Sequence, residues 1–178
     1  DLNPGMARPS RLRAAAVLIA FVFRADGPRI LLTRRADHLK AHAGQIAFPG
    51  GRIDPEDSGP EDAALREAEE EVGLPRAAVT LLGRMDDYVT RTGYRVTPIV
   101  GWATPPNAYR PCPVETAEVF EAPAGLLLDP SRRSIESYDI GGGELRRFYA
   151  IDVDGRRVWG ATAGMLARLS GVLEPSPC

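Results

Sequence analysis

The chain has 178 residues, 44% apolar and 26% charged, with a formal net charge of −2. That length fits one domain with a substantial core, and those shares exclude global disorder. The slightly acidic balance excludes a Lys/Arg-rich surface that coats nucleic acid, and leaves room for a small anionic ligand held by a few local cations.

Residues 1–12 contain Pro4, Gly5, Pro9 and Ser10 without periodicity. They are expected to form a flexible tail, with Met6 as a candidate start, ahead of a single domain over residues 13–174. Ala14–Arg24 is predicted as a strand, because Ala16–Phe23 is rich in β-branched and aromatic residues. The apolar run Ala14–Phe23, ten residues long, is too short to span a membrane. It is followed by Arg24, Asp26 and Arg29 rather than a small-residue cleavage pattern, so a signal peptide is not expected either. Ala25–Pro28 reads as a turn and Arg29–Arg34 as the hairpin partner. A polar loop over residues 35–44 leads to a short extended piece, Gln45–Phe48, and Pro49-Gly50-Gly51 is expected to break regular structure.

Pro60–Val72 carries the clearest helix signals. Ser58 or Gly59 can cap it, Pro60 suits the first position, and Glu61 and Asp62 favour its positive end. Gly73 stops it, with Pro75 just beyond. Val79–Val89 and Tyr94–Ala103 are predicted strands joined near Thr92-Gly93. A Pro-rich loop, Pro105–Pro113, precedes an expected short helix at Glu121–Leu128. Gly141–Gly143 turns into a strand at Glu144–Val153, Asp154-Gly155 turns into Arg156–Trp159, and Thr162–Val172 closes as a second helix. Strands mixed with two separated helices predict an α/β or α+β sandwich. Cys112 and Cys178 form no CxxC pair and read as ordinary thiols, a usage that suits a reducing cytosol.

On the first helix Glu67 lies three and four residues before Glu70 and Glu71, so the three share a face, while Ala64, Leu65, Ala68 and Val72 are available to the core. Like charges at these spacings repel. The pattern suits either a solvated acidic face with Arg66 pairing to one glutamate, or ligands for a hard cation such as Mg²⁺. The Gly50-Gly51 turn ahead of the helix, where backbone can approach a metal or phosphate, favours the second reading.

Gly51 followed by the nine residues Arg66-Glu67-Ala68-Glu69-Glu70-Glu71-Val72-Gly73-Leu74 resembles the Nudix box, and every position of its core is matched. The general box places a glutamate six residues after the glycine; here that residue is Asp57, and Arg66 falls one position late. Leu31–Arg35 and Leu39–Gly51 are similar to the extra signature of the coenzyme A pyrophosphatase branch of that family, as are Asp54-Pro55-Glu56-Asp57, Thr92–Gly101 and Val158–Ala163.

The resemblance implies a Nudix-type α/β/α sandwich with a mixed central sheet. It implies metal-assisted water attack on the diphosphate of coenzyme A or its thioesters, yielding adenosine 3′,5′-bisphosphate and (acyl-)4′-phosphopantetheine. Another nucleotide, such as ADP-ribose or an oxidised nucleoside triphosphate, is the alternative substrate, and a non-catalytic nucleotide-binding regulator the alternative class. Mg²⁺ or Mn²⁺ would be held by Glu67, Glu71 and Glu70 with the Gly51 carbonyl. Arg66 would orient the glutamates. Glu70 or Glu115 would act as base. Arg34, Arg35, Lys40 and His42, with Phe48, would bind the substrate; Lys40 stands where the branch often has arginine, which keeps the charge and loses the bidentate fork. The expected setting is cytoplasmic, without membrane or nucleic-acid partners, and the sequence leaves a homodimer open.

Overall fold

The structure is a computed structural model that describes residues 2–3, 10–39, 42–104 and 106–173. Lys40, Met6 and Cys178 lie outside the described residues.

β1 (Arg13–Arg24) runs through the middle of the main sheet, and its apolar run is buried on both faces. On one edge it pairs in parallel with β7 (Tyr94–Ala103) along its length. Its other edge is shared. Phe21–Arg24 pair antiparallel with β2 (Gly27–Arg35), whereas Ala15–Val17 pair with β4 (Gly50–Arg52). β2 is divided in the same way, with Thr33 and Arg34 pairing to β3 (Ile46–Ala47). The two long strands therefore fork, and the segment from β3 to β4 is wedged between them, fixed where the Leu18 N–H donates to the Pro49 carbonyl at 2.9 Å.

The expected break at Pro49–Gly51 is corrected, since Gly50 and Gly51 form part of β4. Lack of a side chain is what admits them: a Cβ at Gly50 would stand 2.6 Å from the Val17 Cα. The expected strand over 79–89 divides into β5 (Val79–Arg84) and β6 (Tyr88–Val89), both antiparallel to β7. Between them Asp87 turns aside to accept from the Thr97 hydroxyl at 2.7 Å. Glu121–Leu128 is also corrected. Residues 121–123 belong to β8 (Thr116–Pro123) on the outer edge of β2, and only Ala124–Leu128 is helical (α2).

A second, antiparallel sheet contains β9 (Arg133–Asp139), β10 (Leu145–Val153) and β11 (Arg156–Trp159). β9 had no counterpart in the sequence reading, because RSIESYD has no apolar run and exists as a strand through its seven-residue pairing with β10. The described part of the N-terminal tail is anchored there: Asn3 exchanges two side-chain hydrogen bonds of 2.8 Å with the Arg147 backbone.

α1 (Pro60–Val72) packs Ala63, Ala64, Ala68 and Val72 against Ala16, Leu18, Ala20, Val22 and Ile99 on one face of the main sheet. The other face buries Ile19, Ile30 and Leu32 with Leu127 of α2, with Ala163, Met165, Leu166 and Leu169 of α3 (Ala161–Leu173), and with Ile151, Val153 and Val158 of the second sheet. The result is an α/β/α sandwich with a mixed central sheet. Among the described residues no helix is long and apolar enough to cross a membrane.

Candidate active site

α1 begins at Gly59, which offers no side-chain cap; instead Asp62 accepts from the Ser58 N–H at 3.0 Å. It ends at Gly73, whose left-handed conformation (φ 68°) lets Gly73 and Leu74 close back on Glu69 and Ala68. With its alanine stripe against the sheet, the helix carries Glu67 and Glu71 towards a cleft of about 1230 Å³.

Glu71 is buried, 5% exposed, and its Oε2 accepts from the Gly50 N–H at 3.1 Å. Burial pushes its carboxyl up to about 7, with the charges of Glu67 and Glu115 acting in the same direction and Arg35 opposing. Burial likewise raises Glu67, whose Oε1 accepts from Arg66 Nη1 at 3.0 Å. Glu70 also accepts from Arg66 Nη1, at 3.2 Å, but its side chain is 61% exposed and lies outside the cleft lining. Glu115, from the loop before β8, lines the cleft and acts electrostatically on both Glu67 and Glu71.

Arg66 is a hub. Its Nε and Nη2 donate to the two carboxylate oxygens of Asp57, each at 2.9 Å, and Nη2 also donates to the Arg52 carbonyl at 3.1 Å. The Asp57 side chain is only 3% exposed, and the Arg66 guanidinium brings its carboxyl down to about 2. Its oxygens are also engaged by the Asp54 N–H at 2.8 Å. The displaced acid of the box is thus the anchor of the arginine.

Arg34 and Arg35 are separated by a bulge in the β2–β8 pairing. Arg35 lines the cleft, and its buried Nε has no hydrogen-bond partner among the described residues. Arg34 is outside the cleft lining, bonded to Asp37 at 2.8 Å and near Glu118 at 3.7 Å. His42 lines the cleft and shares a 2.7 Å hydrogen bond with Gln45. Phe48, 2% exposed, is a core residue whose edge reaches the cleft. Arg52, Arg91, Arg146, Arg147 and Arg168 also line it, and sequence reasoning missed them as a set because they come from distant elements without a shared motif. The one local signal was the Arg146-Arg147-Phe148-Tyr149 run.

Among the described residues no three or more His, Cys, Asp or Glu side chains are already gathered around one point. The donor set nevertheless suits a hard divalent cation: Glu67 and Glu71 are carboxylates shielded from water, both raised by burial, and a positive charge would reverse that cost. The Gly51 backbone lies directly against one of them, because a Cβ at Gly51 would land on the Glu67 carboxylate. Gly51→Ala is accordingly expected to push Glu67 aside and lower kcat/KM by roughly tenfold or more, with the circular-dichroism spectrum retained. Unchanged kinetics would show that the approach of Gly51 to Glu67 has no catalytic consequence.

An acidic helix behind a glycine-bearing strand, facing an arginine-lined cleft in an α/β/α sandwich, defines a class of site suited to cleaving phosphorus anhydrides. A family model described as the NUDIX domain matches residues 12–125. The chain is 45% identical over 157 residues to the Nudix hydrolase NudL of Yersinia enterocolitica, covering 88% of this chain and 79% of the relative. It is 42% identical over 178 residues to NudL of Shigella flexneri, covering 99% and 91%. Among solved structures, the Nudix hydrolase RenU of M. smegmatis superposes with a TM-score of 0.61 at 21% identity, covering 99% of this chain and 97% of that one. DR0079 of Deinococcus radiodurans superposes with a TM-score of 0.56 at 17% identity, covering 93% and 86%. The chain belongs to the Nudix hydrolase family, whose members generally use divalent metal ions.

Proposed function

We propose that this Nudix hydrolase cleaves the diphosphate of coenzyme A or its thioesters. The observation that carries the reading is the placement of the segment similar to the coenzyme A branch. That segment runs from the end of β2 into the wedge of β3 and β4, and Arg35, His42, Gln45 and Phe48 from it line the cleft with Glu67 and Glu71. A substrate with a diphosphate and a further phosphate needs several cations, and the cleft offers them.

Glu67 and Glu71, with the Gly51 carbonyl, would hold Mg²⁺ or Mn²⁺, whereas Glu70, exposed and bonded to Arg66 outside the cleft lining, is left out of that shell. When bound, the cation supplies Lewis-acid polarisation of the diphosphate oxygens. Arg35 neutralises charge on the diphosphate, and His42 offers a hydrogen bond beside it. Of the two candidate bases Glu115 is preferred, because it lines the cleft while Glu70 is turned to Arg66. Glu115 accepts the proton of the attacking water as the P–O–P bridge breaks, leaving adenosine 3′,5′-bisphosphate and 4′-phosphopantetheine.

A panel of coenzyme A, acetyl-coenzyme A, ADP-ribose and oxidised nucleoside triphosphates, each with Mg²⁺ and Mn²⁺, tests this. Adenosine 3′,5′-bisphosphate is expected from the first two, with turnover lost in EDTA. Arg35→Ala is expected to raise KM by about tenfold, the worth of one charge-assisted contact. Cleavage of ADP-ribose without cleavage of coenzyme A would remove the branch assignment.

A further inference from the structure

The cleft has a second wall that the chemistry above does not use. Side chains on β10 alternate, so Arg146 and Phe148 share one face while Tyr149 and Ile151 share the other. The second face belongs to the core: Ile151, Val153 and Val158 are buried there, and Tyr149 packs against them. The first face presents one ring from each strand. Tyr138 of β9 and Phe148 of β10 have centroids 5.8 Å apart, and Phe148 and Trp159 of β11 are 5.4 Å apart, edge to face.

Among the described residues these three rings are members of neither buried cluster, and Tyr138 is 39% exposed. Core packing therefore does not account for them, yet all three line the cleft. The surrounding charge is positive. The Arg91 guanidinium lies 5.9 Å from the Tyr138 centroid and donates to its hydroxyl at 3.3 Å, and both Arg91 and Arg146 line the cleft. Arg157, ion-paired with Glu136, sits 5.8 Å from the Phe148 centroid and 5.9 Å from that of Trp159. It shares their face of the sheet by strand alternation but is not part of the cleft lining.

Rings set among guanidinium groups in a concave site match the needs of a nucleotide, because every base offers a π-face and every phosphate a negative charge. A phosphate alone needs no rings, and an aliphatic chain needs no arginines. We propose that Tyr138, Phe148 and Trp159 form a base-stacking platform that holds the nucleobase of the substrate across the cleft from Glu67 and Glu71, with Arg91 and Arg146 beside it for phosphate charge. The proposal rests on the nucleotide-diphosphate reading of the site, but any adenine nucleotide would engage the platform, whether or not its other half is pantetheine.

The chain has two tryptophans, Trp102 and Trp159, and Trp102 is away from the cleft, stacked on Phe23 at 4.3 Å. Trp102→Phe leaves Trp159 as the sole indole reporter. Metal-free protein in EDTA is titrated with adenosine 3′,5′-bisphosphate and, separately, with 4′-phosphopantetheine. Saturable quenching of Trp159 by the bisphosphate and none by phosphopantetheine is expected. Phe148→Leu is expected to weaken that binding by roughly tenfold and to raise KM more than it lowers kcat. Tyr138→Leu, at a more exposed position, reads the same loss should Phe148→Leu fold poorly. No quenching by any adenine nucleotide, equal quenching by both ligands, or unaltered affinity in both leucine variants overturns the platform. Quenching by AMP and ADP in a protein that does not cleave coenzyme A supports the platform and removes the coenzyme A assignment instead.

Discussion

Glu71→Gln is expected to lower kcat/KM by about 10³-fold or more while leaving the fold intact. The position is 5% exposed, and among the described residues its side chain accepts a hydrogen bond from the Gly50 N–H. Glutamine keeps an acceptor for that N–H, so no buried donor is orphaned. What disappears is one full negative charge where cation and substrate charge must be balanced, a loss of several kcal/mol of transition-state stabilisation. Burial already works against that charge, holding the carboxyl near 7. The variant in EDTA is therefore expected to melt no lower than the parent. Steady-state kinetics and a thermal melt check both halves. Retained turnover would take Glu71 out of the mechanism, and a collapsed melting temperature would recast it as a structural residue.

Arg66→Ala is expected to cost about 3 kcal/mol of stability, because it strands an Asp57 carboxylate that is 3% exposed and bonded through both oxygens to the guanidinium. For a chain of this size that is a fall of roughly 10 °C in Tm. Arg66→Lys recovers only part, since an ammonium cannot make the forked contact. The same pair sets an acid limb. Asp57 is lowered from 3.8 to about 2 in the folded protein. A lowered carboxyl contributes stability that is complete above its unfolded value near 3.8 and is lost as pH falls through about 2, a change of roughly 2 kcal/mol. Denaturant titrations between pH 5 and pH 2 should show this limb in the parent and its flattening in Asp57→Asn. An unchanged limb would mean that Arg66 and Asp57 do not hold each other in solution. Because Arg66 also bonds Glu67 and Glu70, Arg66→Ala is expected to lower kcat as well.

Parts of the molecule legible from sequence are those whose cause is local. The bounds of α1 follow from Pro60 at its first position and Gly73 in the left-handed conformation, and both bounds stand as expected. β1 and β7 follow from apolar runs long enough to be buried wherever they are placed. Glu67 and Glu71 on one flank of α1 follow from helical periodicity, and the resemblance of Arg66–Leu74 to the Nudix box agrees with the family shown by the NUDIX match.

Tertiary structure decided what depends on partners far along the chain. β8 and β9 are strands because β2 and β10 pair with them, which overrides weak local preference. Arg34 and Arg35 are chemically alike and adjacent, yet strand alternation and a bulge give one to Asp37 and Glu118 and the other to the cleft. Asp57 became the anchor of Arg66 only when the chain from β4 folded over α1. The rings of Tyr138, Phe148 and Trp159, up to 21 residues apart, share one wall through strand register alone. Sequence determined the reaction class because a carboxylate-bearing helix is built from neighbours. The shape and charge of the cleft were decided only by the fold, because residues remote in sequence meet there through sheet pairing.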